Sequence, residues 1–318
     1  MKIAIRGSSG FLGSWIARIL AQSHQVSAVL RHGSSAYKLQ NIANLEIVYA
    51  DDMGFRKLIS ECKPDAVILA DWWGVENQFR NDPRQEENTT RATLIARAAV
   101  DSGVKILIGM GSQAEIGPVH SEILDDSEDN PITLYGRAKV NTRLSIESTL
   151  DESSCRFVWM RVFSTYGPLD TGNWLIPNTV DSLLMRETMS LTKGEQEWSY
   201  LHAFDLANAF SIALEDPTLT GIVNVGNPMT TSVKSVVEKI SFLLNSEDML
   251  NFGAIPYRSD QVMILKPICE KLVTSGWKPH IPIDQGLSQT VDWLSRKPLK
   301  PIECFDGRFL DFKLPKRI

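Results

Sequence analysis

The sequence lacks three features that would point to particular classes of protein. It has no basic excess, since 38 acidic residues outnumber 33 Lys and Arg and the net charge is -5. This balance argues against a nucleic-acid partner. Its four cysteines, at positions 62, 155, 269 and 304, stand singly, without the spacing of a zinc site or the density of a disulfide scaffold. We therefore expect reduced thiols and no metal site.

The third missing feature is a long apolar run. No stretch approaches the roughly 18 apolar residues of a transmembrane helix. The first residues, from Lys2 to Arg6, do not contain the apolar segment of a secretion signal. We therefore expect a cytoplasmic protein with no membrane association.

Short apolar runs alternate with segments of helical character through the first half of the chain. The runs lack strict polar alternation, which is typical of strands covered on both faces. Helices are predicted over 12–22 and 89–102, the second ending before Gly103, where a helix C-cap is expected. The alternation predicts an α/β fold of the Rossmann type, with a doubly wound parallel sheet. The predicted strands are 2–6, 25–30, 45–50, 66–70, 105–109 and 156–162.

A glycine-rich turn follows the first predicted strand and precedes a helix. Gly7, Gly10 and Gly13 frame it, with Phe11 and Leu12 at the helix start. Glycines in this position permit a tight turn and let the backbone approach a pyrophosphate at the helix N-terminus. A plain glycine-rich turn is the alternative. The place of the turn, at the first strand of an alternating pattern, favours a dinucleotide-binding site.

The second predicted strand ends at Leu30 and Arg31, with no acidic residue to bind a ribose 2'-hydroxyl. An arginine here can instead pair with a 2'-phosphate, so we predict a preference for NADP(H), with NAD(H) possible. The alternative is that Arg31 is a solvated loop charge.

Glycine and proline change the pattern after residue 167. The predicted helix over 179–186 then leads into a region outside the sheet, before a helix over 205–215 and a strand over 221–225 return to it. We predict an NAD(P)-binding domain over 1–167, completed by 204–226. A smaller substrate-binding domain is predicted over 168–203 and 227–318. Its basic tail, from residue 296, is expected to pack on the body of the protein or on a second subunit.

Tyr135 and Lys139 lie four residues apart, so on a helix their side chains project from one face. An ammonium beside a phenol favours the phenolate, and we therefore expect a lowered pKa for Tyr135, which suits proton exchange with a substrate oxygen. Ser112 follows an apolar strand and is expected at the carboxyl edge of the sheet, where such folds bind ligands.

These motifs together resemble the extended short-chain dehydrogenases/reductases of the sugar-nucleotide epimerase/dehydratase group. The resemblance spans roughly residues 1–294. Besides the glycine turn and the Tyr135/Lys139 pair, it includes Asn88 and the segments 111–117, 163–168, 224–226 and 276–279.

The resemblance implies a role for each matching residue. Tyr135 would be the acid/base, Lys139 would lower its pKa and hold the nicotinamide ribose, and Ser112 would hydrogen-bond the reacting oxygen. Asp51 or Asp52 would approach the adenine. Further residues expected to line the cofactor are Ala70, Asp71, Asn88 and Phe163. A homodimer through helices near Tyr135 is also implied.

One segment departs from the family, whose members usually have small residues where this chain carries Asp71, Trp72 and Trp73. Trp72 and Trp73 either stack on a sugar or base or fill the core. His202 lies in a family segment where histidine is common, and we expect it to be structural.

The residues after Ser112 bear on which reaction takes place. Family members with 4,6-dehydratase activity carry an Asp-Glu pair where this chain has Gln113 and Ala114, neither of which can exchange the protons of a dehydration. Glu115 is one position further along, where its side chain should point elsewhere. No cysteine near the motifs offers the extra base of reductases that also epimerise neighbouring carbons.

Two enzymatic interpretations stay open. The first is a one-way reductase for the 4-keto group of an NDP-4-keto-6-deoxyhexose, a subfamily that the chain resembles more weakly, with Gln113, Asn173 and Arg258 contacting the nucleotide sugar. The second is an NAD-dependent sugar-nucleotide 4-epimerase. A catalytically silent NADP-binding regulatory protein is a third hypothesis, against which the intact Ser112, Tyr135 and Lys139 argue.

Overall fold

The computed structural model describes residues 1–119, 121–258 and 261–296. The strands are β1 Lys2–Arg6, β2 Gln25–Leu30, β3 Leu45–Tyr49, β4 Ala66–Leu69, β5 Ile106–Ser112, β6 Arg156–Val162, β7 Thr165–Tyr166, β8 Met189–Leu191, β9 Glu197–Ser199, β10 Leu201–His202, β11 Gly221–Val225, β12 Thr230–Ser232, β13 Leu250–Phe252 and β14 Ile264–Leu265. The α-helices are α1 Phe11–Leu20, α2 Asp52–Cys62, α3 Gln85–Asp101, α4 Leu134–Leu150, α5 Leu175–Leu184, α6 Ala203–Glu215, α7 Val233–Leu243, α8 Glu270–Thr274 and α9 Ile283–Ser295.

A seven-stranded sheet forms the centre of the fold. Its strand order is β11-β6-β5-β4-β1-β2-β3, and every neighbouring pair is parallel. The order reverses between β1 and β4, as expected of a doubly wound sheet. The predicted Rossmann fold class is confirmed, and β11 returns to the sheet as its last strand beside β6.

The two faces of the sheet carry different helices. Ile3 and Ile5 belong to one buried cluster with residues of α1 and α6. Ala4, between them, belongs to a second cluster with residues of α2, α3 and α4. Because successive side chains of a strand point to opposite faces, apolar residues are needed at consecutive positions. This is why the strands appear in the sequence as continuous apolar runs.

The chain between the sheet strands and beyond β11 forms smaller sheets and a third core. Strand β9 pairs with β12 and β14, and β8 pairs with β13. Helices α5, α7 and α9 pack around buried Val180, Val236 and Leu287. Within the described residues, no helix has both the length and the apolar composition needed to cross a membrane. The predicted C-terminal tail from residue 297 lies outside the described residues.

Several predicted elements have different bounds in the structure: α3, for example, begins at Gln85 and not at residue 89. Two of the differences have a clear physical reason. Helix α5 begins at Leu175, not near residue 179, because Pro177 lies in its first turn, where a backbone N–H is not needed. Strand β5 continues to Ser112, past the predicted end at residue 109. The strand continues because it pairs with β6 as far as Ser112 and Val162, and position 109 is a glycine because a Cβ there would lie 2.5 Å from the Trp159 ring on β6.

The close packing of the first turn predicts a stability effect. A Cβ on Gly13 would lie 2.2 Å from the carbonyl oxygen of Gly7, so Gly13→Ala forces the backbone apart. We expect it to lower the free energy of unfolding in urea by about 1–3 kcal/mol. Ser9→Ala, in the same turn, is the control and should change it by no more than about 0.5 kcal/mol. Equal stability of the two variants would contradict the close contact.

Candidate active site

The predicted cofactor residues collect at one edge of the sheet. The glycine turn follows β1, Arg31 follows β2, Asp51 precedes α2 beyond β3, Ala70 follows β4 and Phe163 follows β6. Since the strands are parallel, all of these positions lie at the carboxyl edge, where open α/β sheets bind ligands. Ser112 is the last residue of β5 and lies at the same edge.

The glycine turn fits a pyrophosphate. Gly7 has a φ of 88°, and a Cβ on it would lie 2.6 Å from the backbone nitrogen of Asp71. The first hydrogen bond of α1 runs from the Ser14 N–H to the Gly10 oxygen at 3.1 Å, so the three preceding N–H groups, those of Phe11, Leu12 and Gly13, point beyond the helix. A Cβ on Gly10 would lie 3.2 Å from the Gly7 oxygen, so the turn is close there as well. Backbone N–H groups at the start of a helix suit an anion.

The acidic residues expected near the cofactor are held by arginines. Asp52 pairs with Arg6 and with the Arg91 Nε at 3.1 Å. Asp71 accepts a hydrogen bond from the Arg6 Nε at 3.0 Å, while the Asp51 side chain caps α2. These contacts tie the ends of β1, β3 and β4 together, so the carboxylates fix the loops around the glycine turn.

Arg31 and Asn88 have different surroundings. The Arg31 side chain is exposed at the end of β2, whereas the Asn88 side chain contacts the backbone of another segment. The Asn88 side chain accepts a hydrogen bond from the Trp73 N–H at 2.9 Å and donates one to its carbonyl oxygen at 3.1 Å. Asn88 therefore holds the backbone of the loop after β4, a contact within the protein that its predicted role at the cofactor did not include.

Helix α4 brings together the predicted catalytic residues. The Thr133 hydroxyl caps the helix by accepting from the Gly136 N–H at 3.1 Å. One turn separates Tyr135 from Lys139, which are 7% and 3% exposed. Ser112, which is half-buried, lies close enough to the Tyr135 hydroxyl to lower its pKa, and the Lys139 Nζ donates to the Met110 carbonyl oxygen at 2.6 Å. The structure thus brings the three residues predicted from the sequence together, two of them buried.

Trp72 contacts both functional side chains of α4. The Lys139 Nζ lies 3.7 Å from the centroid of the Trp72 ring. The Tyr135 ring meets the same indole edge-on, with centroids 5.9 Å apart and an interplanar angle of 87°. The two hypotheses for Trp72, stacking on a sugar or base and filling the core, did not include this contact. No sequence spacing links residue 72 to helix α4.

Burial sets the protonation of this group. It lowers the pKa of Lys139 to about 7, against the charges of Glu115 and Asp71, which raise it. It raises the pKa of Tyr135, against the Ser112 hydrogen bond and the charge of Arg80, which lower it. The predicted lowering of the Tyr135 pKa is therefore wrong for this structure, because loss of hydration disfavours the phenolate. The phenol stays protonated at neutral pH and can donate a proton.

Glu115 belongs to a buried network behind the site. Its side chain and that of Arg161 are both 0% exposed, with the Arg161 Nε 3.3 Å from the carboxylate. The same carboxylate accepts from the Ser112 N–H at 2.6 Å and from the Trp159 indole N–H at 3.0 Å. Glu115 thus points away from the ligand edge and fixes the backbone of Ser112.

The residues on either side of this network offer no second acid. Ala114 has no proton to exchange, and Gln113 is an amide. No hydrogen bond from any described residue reaches the buried Gln113 Oε1.

His202 is buried, its ring accepts from the Phe204 N–H at 3.1 Å, and burial lowers its pKa to about 3. It serves the start of α6, in agreement with a structural role.

The two other predicted substrate residues lie on exposed segments. Asn173 precedes α5, and its Oδ1 accepts from the Asn178 amide at 2.6 Å. Arg258 follows β13 and is exposed.

Across the described part of the chain, no cluster of His, Cys, Asp and Glu side chains could hold a metal ion.

Comparison with known families gives one match that covers most of the chain. The model of the NAD dependent epimerase/dehydratase family matches residues 3–226. A trifunctional UDP-glucose 4,6-dehydratase/UDP-4-keto-6-deoxy-D-glucose 3,5-epimerase/UDP-4-keto-L-rhamnose-reductase of Arabidopsis thaliana is 23% identical over 93% of this chain. The chain spans 47% of the length of that relative.

Solved structures of similar fold include two epimerases. The UDP-N-acetylglucosamine 4-epimerase of Methanobrevibacter ruminantium, bound to UDP-N-acetylmuramic acid, has a TM-score of 0.84 and 22% identity, covering 93% of this chain and 99% of that one. The UDP-glucose 4-epimerase of Thermus thermophilus, bound to NAD, has a TM-score of 0.82 and 20% identity, covering 94% of this chain and 100% of that one.

The buried network predicts a large stability effect. Glu115→Ala leaves Arg161 and the Trp159 N–H without their shared acceptor, so we expect the free energy of unfolding to fall by about 3–5 kcal/mol. Glu122→Ala removes a carboxylate from an exposed pair with Lys266, at 2.7 Å. As the matched control it should cost no more than about 1 kcal/mol. Urea unfolding of both variants measures the difference, and similar losses would contradict the network.

Proposed function

This chain belongs to the NAD-dependent epimerase/dehydratase family, and we propose that it is an NAD(P)H-dependent reductase for the 4-keto group of an NDP-4-keto-6-deoxyhexose. The observation that carries the proposal is that Ser112 lies beside the buried residues Tyr135 and Lys139. The raised pKa of Tyr135 keeps its phenol protonated. A protonated phenol is what the reduction of a ketone requires.

The reaction follows from what each residue can do. When bound, the dinucleotide supplies a hydride, which reduces the ketone carbon. The Ser112 hydroxyl holds the ketone oxygen, and Tyr135 donates its phenolic proton to that oxygen as charge develops there. The Lys139 ammonium, buried on the same helix face, stabilises the phenolate that remains. Proton uptake from solvent then restores Tyr135.

Dehydration does not fit the residues after Ser112. Removing water from the sugar needs a further acid and base, and neither Gln113 nor Ala114 can act as one. Glu115, the next residue, is bound by Arg161 and by the Ser112 N–H. The lack of an acid pair directly after Ser112 supports simple hydride and proton transfer.

The residues for the cofactor are proposed from the geometry of the sheet edge. Gly7, Gly10 and the N–H groups of residues 11–13 would hold the pyrophosphate. Arg31, exposed where β2 ends, would bind a 2'-phosphate, so we propose NADP(H) as the preferred cofactor. A structural neighbour binds NAD, and NAD(H) is the alternative.

The region outside the central sheet is the proposed place of the nucleotide sugar. We assign 168–203 and the described residues from 227 onward to the substrate-binding domain. Asn173 and Arg258 would contact the diphosphate and sugar, since an arginine suits a phosphate. The Gln113 Oε1, buried beside Ser112, would accept a hydrogen bond from a sugar hydroxyl.

A 4-epimerase is the second candidate, because the solved structures of similar fold described above are epimerases. The same Tyr135 would remove and return one proton while the cofactor stays bound. Reductase and epimerase differ in one measurable respect, which is net consumption of the reduced cofactor.

The proposal is tested by following NADPH absorbance with a panel of NDP-4-keto-6-deoxyhexoses. We expect NADPH to be oxidised in proportion to the ketone supplied. Tyr135→Phe should bind NADPH, measured by its fluorescence, but lower kcat by about 10²–10⁴-fold, the usual contribution of a general acid.

Three outcomes would contradict the proposal. Near-normal turnover by Tyr135→Phe would remove Tyr135 from the reaction. Interconversion of 4-epimers without net oxidation of NADPH would favour the epimerase. Dinucleotide binding with no turnover of any sugar nucleotide would favour a regulatory protein.

A further inference from the structure

We propose that Trp72 is a positioning residue for Lys139 and Tyr135, held by Gln85 so that one indole fixes both side chains. The inference rests on the proposed function insofar as Lys139 and Tyr135 carry the chemistry. It also gives Trp72 a task distinct from stacking on a ligand or filling the core.

The first support is the contact with Lys139. A lysine side chain has four carbon atoms beyond the Cα and many rotamers, so helix spacing alone does not fix its ammonium. Here the Nζ lies 3.7 Å from the Trp72 ring centroid, and one N–H is donated to the Met110 oxygen at 2.6 Å. Cation–π contacts are strongest with tryptophan and where water is excluded. These two contacts restrict the direction of the remaining N–H groups.

The second support is that the same indole also meets Tyr135. The two rings are nearly perpendicular, at 87°, an arrangement that aromatic pairs prefer. The Tyr135 ring also contacts Arg80, whose guanidinium is 5.4 Å from the ring centroid. A shift of Trp72 would therefore disturb the phenol as well as the ammonium.

The third support is that Trp72 is itself anchored. Its indole N–H donates to the Gln85 Oε1 at 2.8 Å. Gln85 is 1% exposed, and its Nε2 donates to the carbonyl oxygens of Gly74 and Phe79 at 2.7 and 3.0 Å. Every one of these bonds ties α3 to the loop after β4. Trp72 is thus a fixed wall of the site.

The charges around Lys139 determine how the positioning role of Trp72 can be tested. Glu115 and Asp71 favour the ammonium, while burial opposes it and brings the pKa of Lys139 to about 7. Tyr135 lies on the same helix, and two cations face its ring: the Arg80 guanidinium at 5.4 Å and the Lys139 Nζ at 5.8 Å from the centroid. The Trp72 ring also favours the charged form. Replacing it by an apolar side chain keeps the site dry but removes that stabilisation, so the Lys139 pKa should fall further.

The pH dependence of dinucleotide binding reports this pKa. If Lys139 holds a ribose as an ammonium, affinity is full below its pKa and is lost as the pH rises through it. With a lower pKa, the loss occurs at lower pH. Binding needs no sugar nucleotide, so this readout does not depend on which reaction the protein catalyses.

The experiment titrates the wild type and three variants with NADPH and with NADH across neutral pH, by cofactor fluorescence. Trp72→Leu should weaken binding about tenfold at neutral pH, a change on the scale of one buried cation–π contact, with its midpoint at lower pH. Trp72→Phe keeps an aromatic face and should restore most of the affinity and the midpoint.

Trp73→Leu is the matched control, because Trp73 contacts Phe79 and Arg84 and should leave both values unchanged. An equal midpoint in Trp72→Leu and Trp73→Leu, or failure of Trp72→Phe to restore it, would overturn the inference. If Trp72→Leu does not fold, Gln85→Met frees the indole without removing it. An unchanged midpoint in Gln85→Met would then overturn the inference.

The result also separates this inference from the proposed reaction. A shifted midpoint with no ketone reduction would support the role of Trp72 and contradict the reductase. Normal ketone reduction with an unshifted midpoint would support the reductase and contradict the role of Trp72. Absence of dinucleotide binding in the wild type would contradict both.

Discussion

Helix α4 carries the amino group of Lys139 into the protein interior, where the residue is 3% exposed. Removing the charged form of such a group from water costs several kcal/mol unless neighbouring groups compensate. The compensation comes from three directions: the Met110 carbonyl on β5, the Trp72 ring after β4, and the charges of Glu115 and Asp71. The ends of these strands must therefore keep their places around one nitrogen atom.

Each compensating group is itself fixed by further contacts. Gln85 holds Trp72, and Arg6 holds Asp71. Behind Glu115, Arg161 on β6 reaches Asp129, and Asp129 also pairs with Arg143 on α4 at 2.5 Å. The network returns to the helix that carries Lys139. Rigid support of this kind is what keeps Tyr135 beside Ser112.

Much of the scaffold could be predicted from the sequence because it depends on local pattern. Strands β1, β2, β6 and β11 have the bounds predicted, since strands buried on both faces leave continuous apolar runs. The glycine turn and the Tyr135/Lys139 pair were also found by spacing, because turn and helix geometry fix which residues adjoin. The family resemblance is confirmed by the family model over residues 3–226 and the Rossmann fold by the seven-stranded parallel sheet, while the roles of individual site residues stay proposals.

What the sequence did not predict depends on contacts between distant segments. Trp72 meets Lys139 across 67 positions of the printed sequence, and no periodicity reports such a contact. The direction of the Tyr135 pKa was wrong because the prediction weighed the neighbouring charge but not burial, which is a property of the whole fold. The Glu115 side chain was expected to point in a different direction from the acid pair of the dehydratases. Its partners Trp159 and Arg161 lie on β6 and could be identified only in three dimensions.

The central claim is that this site reduces a sugar-nucleotide ketone by hydride transfer. Its most direct test uses NADPH carrying deuterium on the transferred position of nicotinamide C4, incubated with an NDP-4-keto-6-deoxyhexose, followed by mass analysis of the sugar. Our account predicts one deuterium on C4 of the sugar for each NADPH oxidised, and its loss in Tyr135→Phe. A reduced sugar without deuterium, or NADPH that keeps its label and is not oxidised, would contradict it.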